Sequence, residues 1–292
     1  MARCLVTGHR GYIGSSVYKA LLEQGHDVMG IDLREGHDIL RELKPATDGT
    51  FHPHWANFKP EYIFHLAAIP RVAYSVEQPV HVIENNVLSS LYMLEFARAC
   101  GTRRVIYSSS SSVVGNGSGA ENPYGASKYM PEAMCGVWSR LYGVDTVCLR
   151  YFNVYSPDQK ADGPYATAIA NWMQYIRDGK EPFITGDGTQ SRDMAHKLDV
   201  VAANIFCMNY EGSFGGSWYD VGTGNNISLN DAKNIVTNYF PEVIFKYVAP
   251  REGDVMHTRA NILPLCELGW SPKNSAREGI AECFQLLKKE MS

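Results

Sequence analysis

The sequence predicts an α/β protein with a doubly wound parallel sheet and a smaller C-terminal α/β domain. Three observations lead to this. Short apolar strands alternate with amphipathic helices through the first half of the 292 residues, as in parallel sheets with crossover helices. The first strand runs into a glycine-rich turn and a helix, and beyond residue 153 prolines and glycines break the alternation. The first half is therefore predicted to be of the Rossmann type.

The elements follow from hydrophobic periodicity and from glycines that end helices. Apolar strands are predicted at 4–7, 28–32, 62–68, 105–109 and 146–150. The first helix places Ile13, Val17 and Leu21 on one face and ends at Gly25. Longer helices are predicted at about 87–100 and 124–142. We expect residues 1–152 to bind a dinucleotide and residues 153–292 mainly to bind substrate, with about 194–225 returning to the first domain.

Composition narrows the functional classes. The net charge is −4 and no basic run occurs, so we expect neither nucleic acid nor a membrane surface as a partner. The seven cysteines are scattered without a C-x-x-C pair, which predicts reduced thiols, no metal site and a cytoplasmic protein. The first strand begins near residue 4 and no apolar stretch approaches 20 residues, so we expect no signal peptide and no membrane span.

The first turn has the glycine pattern of a dinucleotide site. It carries Gly8, Gly11 and Gly14 between a strand and a helix, which allows backbone N–H groups and the helix N-terminus to approach a pyrophosphate. The second strand ends in Asp32, eighteen residues after Gly14. A carboxylate there can accept both ribose hydroxyls of NAD and would repel the 2′-phosphate of NADP. NAD is the predicted cofactor.

A second pattern of residues indicates an enzyme that oxidises and reduces an alcohol group. Tyr124 and Lys128 are four residues apart on a predicted helix, and Ser110 lies fourteen residues earlier at a strand end. Free tyrosine titrates at about 10, too high for a base near neutral pH. A cation about 4 Å away is worth roughly 4 kcal/mol at an effective dielectric of 20. We therefore expect Lys128 and a cationic nicotinamide to lower the pKa of Tyr124, with Ser110 bridging Tyr124 and the substrate oxygen.

Over nearly its whole length the sequence resembles the extended short-chain dehydrogenases, specifically the nucleotide-sugar epimerases and dehydratases. The motifs that carry the resemblance occur in order. They are 8–14, Asp32, 38–39, 65–68, Ser75, Pro79, Asn86, 107–115, 124–128, 149–154, 186–193, Asp199, 219–224, 251–254 and 268–270.

The resemblance implies a role for each matching position. Catalysis would fall to Ser110, Tyr124 and Lys128. The cofactor would be bound by Gly8, Gly11, Tyr12, Ile13, Gly14, Asp32, Asp38, Ile39, Leu66, Ala67, Ala68, Asn86, Ser108, Tyr124, Lys128 and Phe152. The sugar nucleotide would be bound by Arg71, Ser110, Ser111, Tyr124, Asn153, Thr185, Arg192, Arg251 and Asp254. Arg192 and Arg251 resemble the arginines that clamp the diphosphate, because planar guanidinium matches phosphate oxygens. The family also implies a homodimer through the helices at 87–100 and 124–142.

Several reactions share this machinery. The dehydratase branch of the family carries an Asp-Glu pair directly after the serine, where this chain has Ser111 and Ser112. This favours a 4-epimerase that works through a 4-keto intermediate, on a UDP-hexose or a derivative. Dehydration or decarboxylation stays an alternative, and a non-catalytic NAD-binding protein is the alternative from another class. Small Thr258 would admit a 2-acetamido group, whereas Arg71 would suit a uronate.

Overall fold

The computed structural model describes residues 1–115, 117–161, 167–250 and 256–292. The chain divides into two compact units. The first comprises Met1–Arg150 and Val201–Tyr219, and the second comprises Tyr151–Val200 and Asp220–Ser292. The division expected from the sequence also concerned which ligand each part binds, and in that respect it stays a prediction.

The chain up to residue 151 supplies most of the first unit. Its elements are β1 (Arg3–Thr7), α1 (Gly14–Glu23), β2 (Asp27–Ile31), α2 (Ile39–Glu42), α3 (Pro53–Ala56), β3 (Tyr62–His65), α4 (Val72–Glu77), α5 (Pro79–Ile83), α6 (Ser89–Cys100), β4 (Arg104–Ser110), α7 (Pro123–Tyr142) and β5 (Asp145–Tyr151). Short 3-10 turns cover Leu33–Glu35 and Ser111–Val113, and a π-helical segment covers Glu84–Leu88.

The rest of the described chain contains shorter strands and five helices. They are α8 (Ala168–Arg177), β6 (Phe183–Thr185), β7 (Ser191–Asp193), α9 (Lys197–Asn209), β8 (Trp218–Val221), β9 (Asn226–Ser228), α10 (Leu229–Tyr239), β10 (Lys246–Val248), β11 (His257–Thr258), α11 (Leu263–Glu267) and α12 (Ala276–Met291). β6 pairs with β10, and β7 lies between β11 and β9.

Six strands form the main sheet in the order β2-β1-β3-β4-β5-β8. Leu5 of β1 pairs in parallel with Met29 of β2 on one side and with Ile63 of β3 on the other. The strand order therefore reverses at β1, which is where open α/β sheets bind their ligands, at the carboxyl ends of the strands. The predicted doubly wound parallel sheet is confirmed, and the glycine turn follows the strand at which the order reverses.

Burial explains why these segments became strands and helices. All four residues of β3 and all but the first of β1 are buried, as expected for strands covered on both faces. Val17 and Leu21 of α1 lie on the buried face of their helix. The core of the first unit is formed by Leu5, Ile31, Ile39, Leu43, Trp55, Ile63, Met93, Leu94, Phe96, Ala97, Val105, Tyr107, Cys135, Val144 and Cys148.

One strand is shorter than predicted. The sequence predicts a strand over 62–68, but β3 ends at His65. Ala67 has left the sheet and donates its N–H to the Thr7 side chain at 3.2 Å. Leu66, Ala67 and Ala68 are apolar and partly buried although they follow the strand. Hydrophobicity alone therefore does not show where the strand ends.

The second unit has its own apolar core. Trp172 of α8 is buried and donates its indole N–H to the Phe183 carbonyl at 2.9 Å. The core contains Tyr155, Ile169, Trp172, Met173, Ile176, Ile184, Met194, Ile227, Ala232, Val236, Phe240, Phe245, Ala276, Ile280, Cys283, Phe284 and Leu287. In the two described units, no helix combines the length and apolarity needed to cross a membrane. Nor do the described His, Cys, Asp and Glu side chains form a group that could hold a metal ion.

Candidate active site

The turn between β1 and α1 brings backbone atoms closer together than a side chain would permit. A Cβ atom on Gly14 would lie 2.1 Å from the Gly8 carbonyl oxygen, and one on Gly8 would lie 2.8 Å from the Ala67 nitrogen. Gly8 also has φ +71°, which glycine adopts without strain. The result is a cradle of bare backbone at the start of α1, where N–H groups and the helix dipole favour an anion.

Asp32 is fixed beside this cradle. One carboxylate oxygen accepts the Arg10 N–H at 2.8 Å and the other accepts the Arg34 N–H at 2.9 Å. The Arg34 guanidinium donates to the Arg10 carbonyl at 2.8 Å, and the Arg10 side chain pairs with Glu35. Each Asp32 oxygen keeps a lone pair, because a carboxylate has about four acceptor positions. The Asp32 carboxylate can therefore accept hydrogen bonds from the two hydroxyl groups of a ribose.

A chain of buried hydrogen bonds supports the segment after β3. Ser90 Oγ donates to the Asn86 carbonyl at 2.7 Å, so its oxygen is free to accept from His65 Nε2–H at 3.0 Å. His65 Nδ1 then accepts the Thr7 hydroxyl proton at 2.7 Å, and Thr7 Oγ1 accepts the Ala67 N–H at 3.2 Å. Burial lowers the pKa of His65 to about 3, which keeps the ring neutral. This arrangement assigns the Nε2–H tautomer to His65.

The Asn86 side chain links the same segment to α7. Its Oδ1 accepts the Ile69 N–H at 2.8 Å, and its Nδ2 donates to the Ile69 carbonyl at 3.2 Å and to Ser127 Oγ at 2.9 Å. Ser127 Oγ in turn donates to the Tyr124 carbonyl at 2.8 Å. Asn86 lies in the π-helical segment Glu84–Leu88, and such segments are frequent at functional sites. Asn86 thus connects the wall of the cradle to the helix that carries Tyr124.

Helix α7 places the tyrosine and the lysine on one buried face. Asn122 caps the helix by accepting the Gly125 N–H at 2.9 Å, and the helix continues through Pro131. Tyr124 is 9% exposed and Lys128 is 4% exposed. Because residues four apart lie one turn above each other, both side chains reach the end of β4. The pair is therefore not a pair on the solvent face of an ordinary helix.

Tyr124 and Lys128 are both bonded to the end of β4, and the bond between Tyr124 and Ser110 agrees with the role expected of Ser110. Lys128 Nζ donates to the Ser108 carbonyl at 2.8 Å. The Tyr124 side chain is hydrogen-bonded to Ser110. The Tyr124 backbone N–H also donates to Ser75 Oγ at 3.0 Å. Ser110, Tyr124 and Lys128 are thus brought together at the carboxyl end of β4, as predicted.

The pKa values of the two groups follow from their burial. Burial raises the pKa of Tyr124 above its ordinary value, and the hydrogen bond with Ser110 opposes this rise only in part. Burial lowers the pKa of Lys128 to about 8, and the negative charge of Glu132 opposes that fall. We expected Lys128 and NAD together to lower the pKa of Tyr124. In the protein alone the pKa of Tyr124 is shifted in the opposite direction, because desolvation of the phenol outweighs the hydrogen bond with Ser110.

Comparisons with known proteins place this chain in a family. A family model described as NAD dependent epimerase/dehydratase family matches residues 4–222. A putative UDP-glucose 4-epimerase of Methanocaldococcus jannaschii is 31% identical over 97% of this chain and 98% of that protein. The chain belongs to the NAD-dependent epimerase/dehydratase family.

Solved structures from this family have the same fold over their whole length. The UDP-glucose 4-epimerase of Thermotoga maritima with UDP-glucose has a TM-score of 0.87 and 29% identity, covering 99% of this chain and 100% of that one. The UDP-glucuronic acid 4-epimerase of Bacillus cereus with UDP-glucuronic acid and NAD has a TM-score of 0.84 and 26% identity, with 99% and 100% coverage. The cofactor of the family is NAD.

The backbone cradle and Asp32 suit this cofactor, the cradle through its space for a pyrophosphate and Asp32 through its free acceptor positions. Gly11, Tyr12 and Ile13 belong to the same turn, and Leu66, Ala67 and Ala68 are only partly buried beside it. Two other predicted cofactor residues are already engaged by the protein. The Asp38 carboxylate caps α2 by accepting the Leu40 N–H at 2.9 Å, and the Ile39 side chain lies in the core. Their contact with adenine stays a prediction.

Asn153 is a predicted substrate residue whose side chain is held by other residues of the second unit. This residue has φ +36°, and its Nδ2 donates to the Asp193 carbonyl at 2.7 Å and to Thr258 Oγ1 at 3.4 Å. Phe152, a predicted cofactor residue, is buried. Arg192 donates to the carbonyls of its neighbours at 3.0 and 3.2 Å. The Asn153 amide is thus held by the protein itself, which leaves its oxygen for a ligand.

Thr185 lines a cavity of about 760 Å³ within the second unit. The other lining residues are Gly186, Asp187, Gln190, Tyr247, Val248, Pro250 and Met256. Arg251 and Asp254 lie outside the described residues. Arg71 is exposed at the start of α4, and Ser111 begins the 3-10 turn after β4. The binding roles of all these residues stay predictions.

Sequence reasoning did not assign a role to three residues that organise the site. Ser75 accepts the Tyr124 N–H, Ser127 connects Asn86 to α7, and Glu132 bonds to Ser109 at 2.5 Å. Ser75 was among the family landmarks, and Glu132 stands four residues after Lys128. The helical spacing of Glu132 was therefore a usable signal, whereas the partner of Ser127 is distant in sequence.

Proposed function

We propose that this protein is an NAD-dependent UDP-sugar 4-epimerase. The observation that carries the proposal is the buried cluster of Ser110, Tyr124 and Lys128 at the end of β4. It is supported by the relative and the solved structures that are UDP-sugar 4-epimerases by name. A cluster of this kind moves a proton on and off a hydroxyl, which is the proton transfer that epimerisation at C4 requires.

In the proposed reaction, Tyr124 takes the proton of the sugar 4-hydroxyl as the C4 hydride leaves, and it returns a proton when hydride comes back to the other face. NAD⁺ supplies the hydride acceptor, and its positive charge favours the ionised form of the phenol. Ser110 donates a hydrogen bond to the reacting oxygen. Lys128 is buried, and with a pKa of about 8 it is mostly protonated at neutral pH. Its charge then stabilises the tyrosinate form of Tyr124, which accepts the substrate proton and is restored when that proton is returned.

Two features favour epimerisation over the alternatives. A 4,6-dehydratase needs an acid and a base next to C5 and C6, but Ser111 and Ser112 follow Ser110. A non-catalytic NAD-binding protein has no need for a buried lysine and tyrosine, whose desolvation costs free energy. We propose that Asn153, Arg192 and Arg251 bind the sugar nucleotide, with the diphosphate on the arginines.

The function is tested by supplying UDP-glucose, UDP-N-acetylglucosamine and UDP-glucuronate separately and separating the products. We expect conversion of at least one substrate to its 4-epimer with unchanged mass. Loss of one water would establish dehydration, and loss of carbon dioxide would establish decarboxylation. Failure on all three substrates, with NAD bound, would overturn the proposal. A 2-acetamido preference would support the role expected of small Thr258, and a uronate preference that of Arg71.

We also propose a homodimer formed through α6 and α7. Met130 and Leu141 of α7 are 42% and 70% exposed, and they lie about three turns apart on one face with Val137 between them. Leu88, just before α6, is also exposed, and α6 packs against α7. Apolar residues grouped in this way are typical of an interaction surface.

Met130→Glu should weaken this dimer by at least about tenfold, because a carboxylate would be desolvated in an apolar interface. Sedimentation velocity should give twice the chain mass for the unmodified protein and a monomer for the variant at the same concentration. Leu22→Glu is the matched control, since Leu22 on α1 is 48% exposed and lies on another helix. A dimer that survives Met130→Glu would contradict this interface.

We propose that the protein is cytoplasmic, and the state of its thiols supports this. All seven cysteines are free. Burial raises the pKa of Cys4 to about 12 and that of Cys100 to about 11, which suppresses the reactive thiolate. Free cysteines in this number are typical of proteins from a reducing compartment.

A further inference from the structure

Three consecutive residues at the end of β4 are each attached to α7. Ser110 bonds to Tyr124, the Ser108 carbonyl accepts from Lys128 at 2.8 Å, and Ser109 Oγ donates to Glu132 at 2.5 Å. The three partners on α7 are spaced by four residues, so they form one line along the helix. Glu132 is the third member of this line, and the reaction proposed above does not use it.

Glu132 is buried and fully engaged. Besides Ser109, its carboxylate accepts two hydrogen bonds from Arg150 of β5, from Nε at 2.9 Å and from Nη2 at 2.6 Å. The guanidinium of Arg150 lies 3.7 Å from the centre of the Trp218 ring. One carboxylate therefore connects α7 to both β4 and β5. A buried ion pair of this kind costs desolvation energy, so its position beside Lys128 calls for an explanation.

Glu132 is the carboxylate of α7 whose charge acts on Lys128. Lys128 Nζ lies 5.1 Å from the centre of the Tyr107 ring of β4, and its charge interacts with His65 of β3 and Glu132 of α7. Tyr124 lies on the same face of α7, one turn before Lys128. Burial keeps His65 neutral by lowering its pKa, and keeps Tyr107 and Tyr124 neutral by raising theirs. The titratable groups of α4 to α6 near α7 are partly or largely exposed, namely Tyr74, Glu77, His81, Glu84, Tyr92, Glu95 and Arg98.

We infer that Glu132 is a positioning residue for the reaction, which holds the end of β4 against α7 through Ser109 and balances the charge of Lys128. Arg150 limits this effect by neutralising part of the carboxylate charge. Without Glu132, Lys128 would lose the negative charge that opposes the fall of its pKa. Without Arg150 the ammonium would face an uncompensated carboxylate. The two changes should therefore shift the protonation of Lys128 in opposite directions, which a merely structural ion pair would not do.

The inference rests on the proposed epimerase function for its assay, and is tested by the pH dependence of kcat/KM between pH 6 and 10. In E132Q the alkaline limb, which reports loss of the Lys128 proton, should move to lower pH by about one unit or more. In R150Q it should move to higher pH. S109A keeps both charges and should lower kcat without moving the alkaline limb.

Glu95→Gln is the matched control. Glu95 also bonds to a residue of α7, Trp138 at 3.0 Å, but this bond does not lie at the catalytic end of the helix.

The possible results distinguish failure of the proposed function from failure of the role of Glu132. Absence of 4-epimerase activity in the unmodified protein would refute the proposed function, and the positioning role that rests on it would be overturned as well. With activity present, equal losses in E132Q and R150Q and an unmoved alkaline limb would overturn the positioning role. Should E132Q fail to fold, the upward shift in R150Q decides the matter by itself, and its absence overturns the inference.

Discussion

Tyr124→Phe should reduce kcat by about 10²–10⁴-fold, the range in which a positioned acid or base contributes to catalysis. The change removes one oxygen from a buried side chain and keeps the ring, so packing is retained. Lys128 keeps its bond to the Ser108 carbonyl, and the Tyr124 backbone N–H keeps its bond to Ser75. We therefore expect the KM for the UDP-sugar and the NAD content to change little, while proton transfer is lost.

The measurement is the initial rate of 4-epimer formation on the best substrate, with NAD content determined after denaturation. Tyr129→Phe is the matched control, since Tyr129 is the same residue type on the same helix but is 54% exposed. It should leave kcat unchanged. Near-normal activity of Tyr124→Phe would show that another group handles the proton, and the assignment of the site would be wrong.

The fold was predictable because its signals are local. The glycine turn after β1, the apolar runs of β3 and β4 and the periodicity of α1 each depend on a few neighbouring residues. The sequence also predicted the long helix α7, with boundaries within one residue of Pro123–Tyr142. The local signals did not show where strand β3 ends within its apolar run. That depends on Thr7, which accepts the Ala67 N–H from sixty residues away.

The site was predictable to a similar degree. Tyr124 and Lys128 share a helix, so their spacing alone places them on one face. The direction of the Tyr124 pKa shift was not predictable, because it depends on burial by other elements. The bond of Glu132 to Arg150 joins residues eighteen apart on different elements. Likewise, the tautomer of His65 follows only from the joint arrangement of Thr7 and Ser90.

Gly14→Ala should abolish retention of NAD, with binding weakened by at least about tenfold. The added methyl group would lie 2.1 Å from the Gly8 carbonyl oxygen and 2.8 Å from its carbon. Both atoms are backbone, so the strain cannot be relieved by rotating a side chain. The turn must open, and Gly8 cannot move freely because its own α carbon faces the Ala67 backbone. The N–H groups of the cradle would then no longer converge on a pyrophosphate.

The experiment compares bound NAD after denaturation, and NAD affinity by titration, in Gly14→Ala and Gly136→Ala. The control introduces the same methyl group into helix α7, where the nearest atom is the end of the flexible Arg140 side chain at 3.2 Å. Because alanine favours a helix over glycine by about 1 kcal/mol, the control should be folded and loaded with NAD. Full NAD content in Gly14→Ala would mean that the turn accommodates the methyl group without loss of NAD affinity. The cradle of bare backbone would then not be what binds the dinucleotide, and Asp32 together with the segment after β3 would have to supply the affinity.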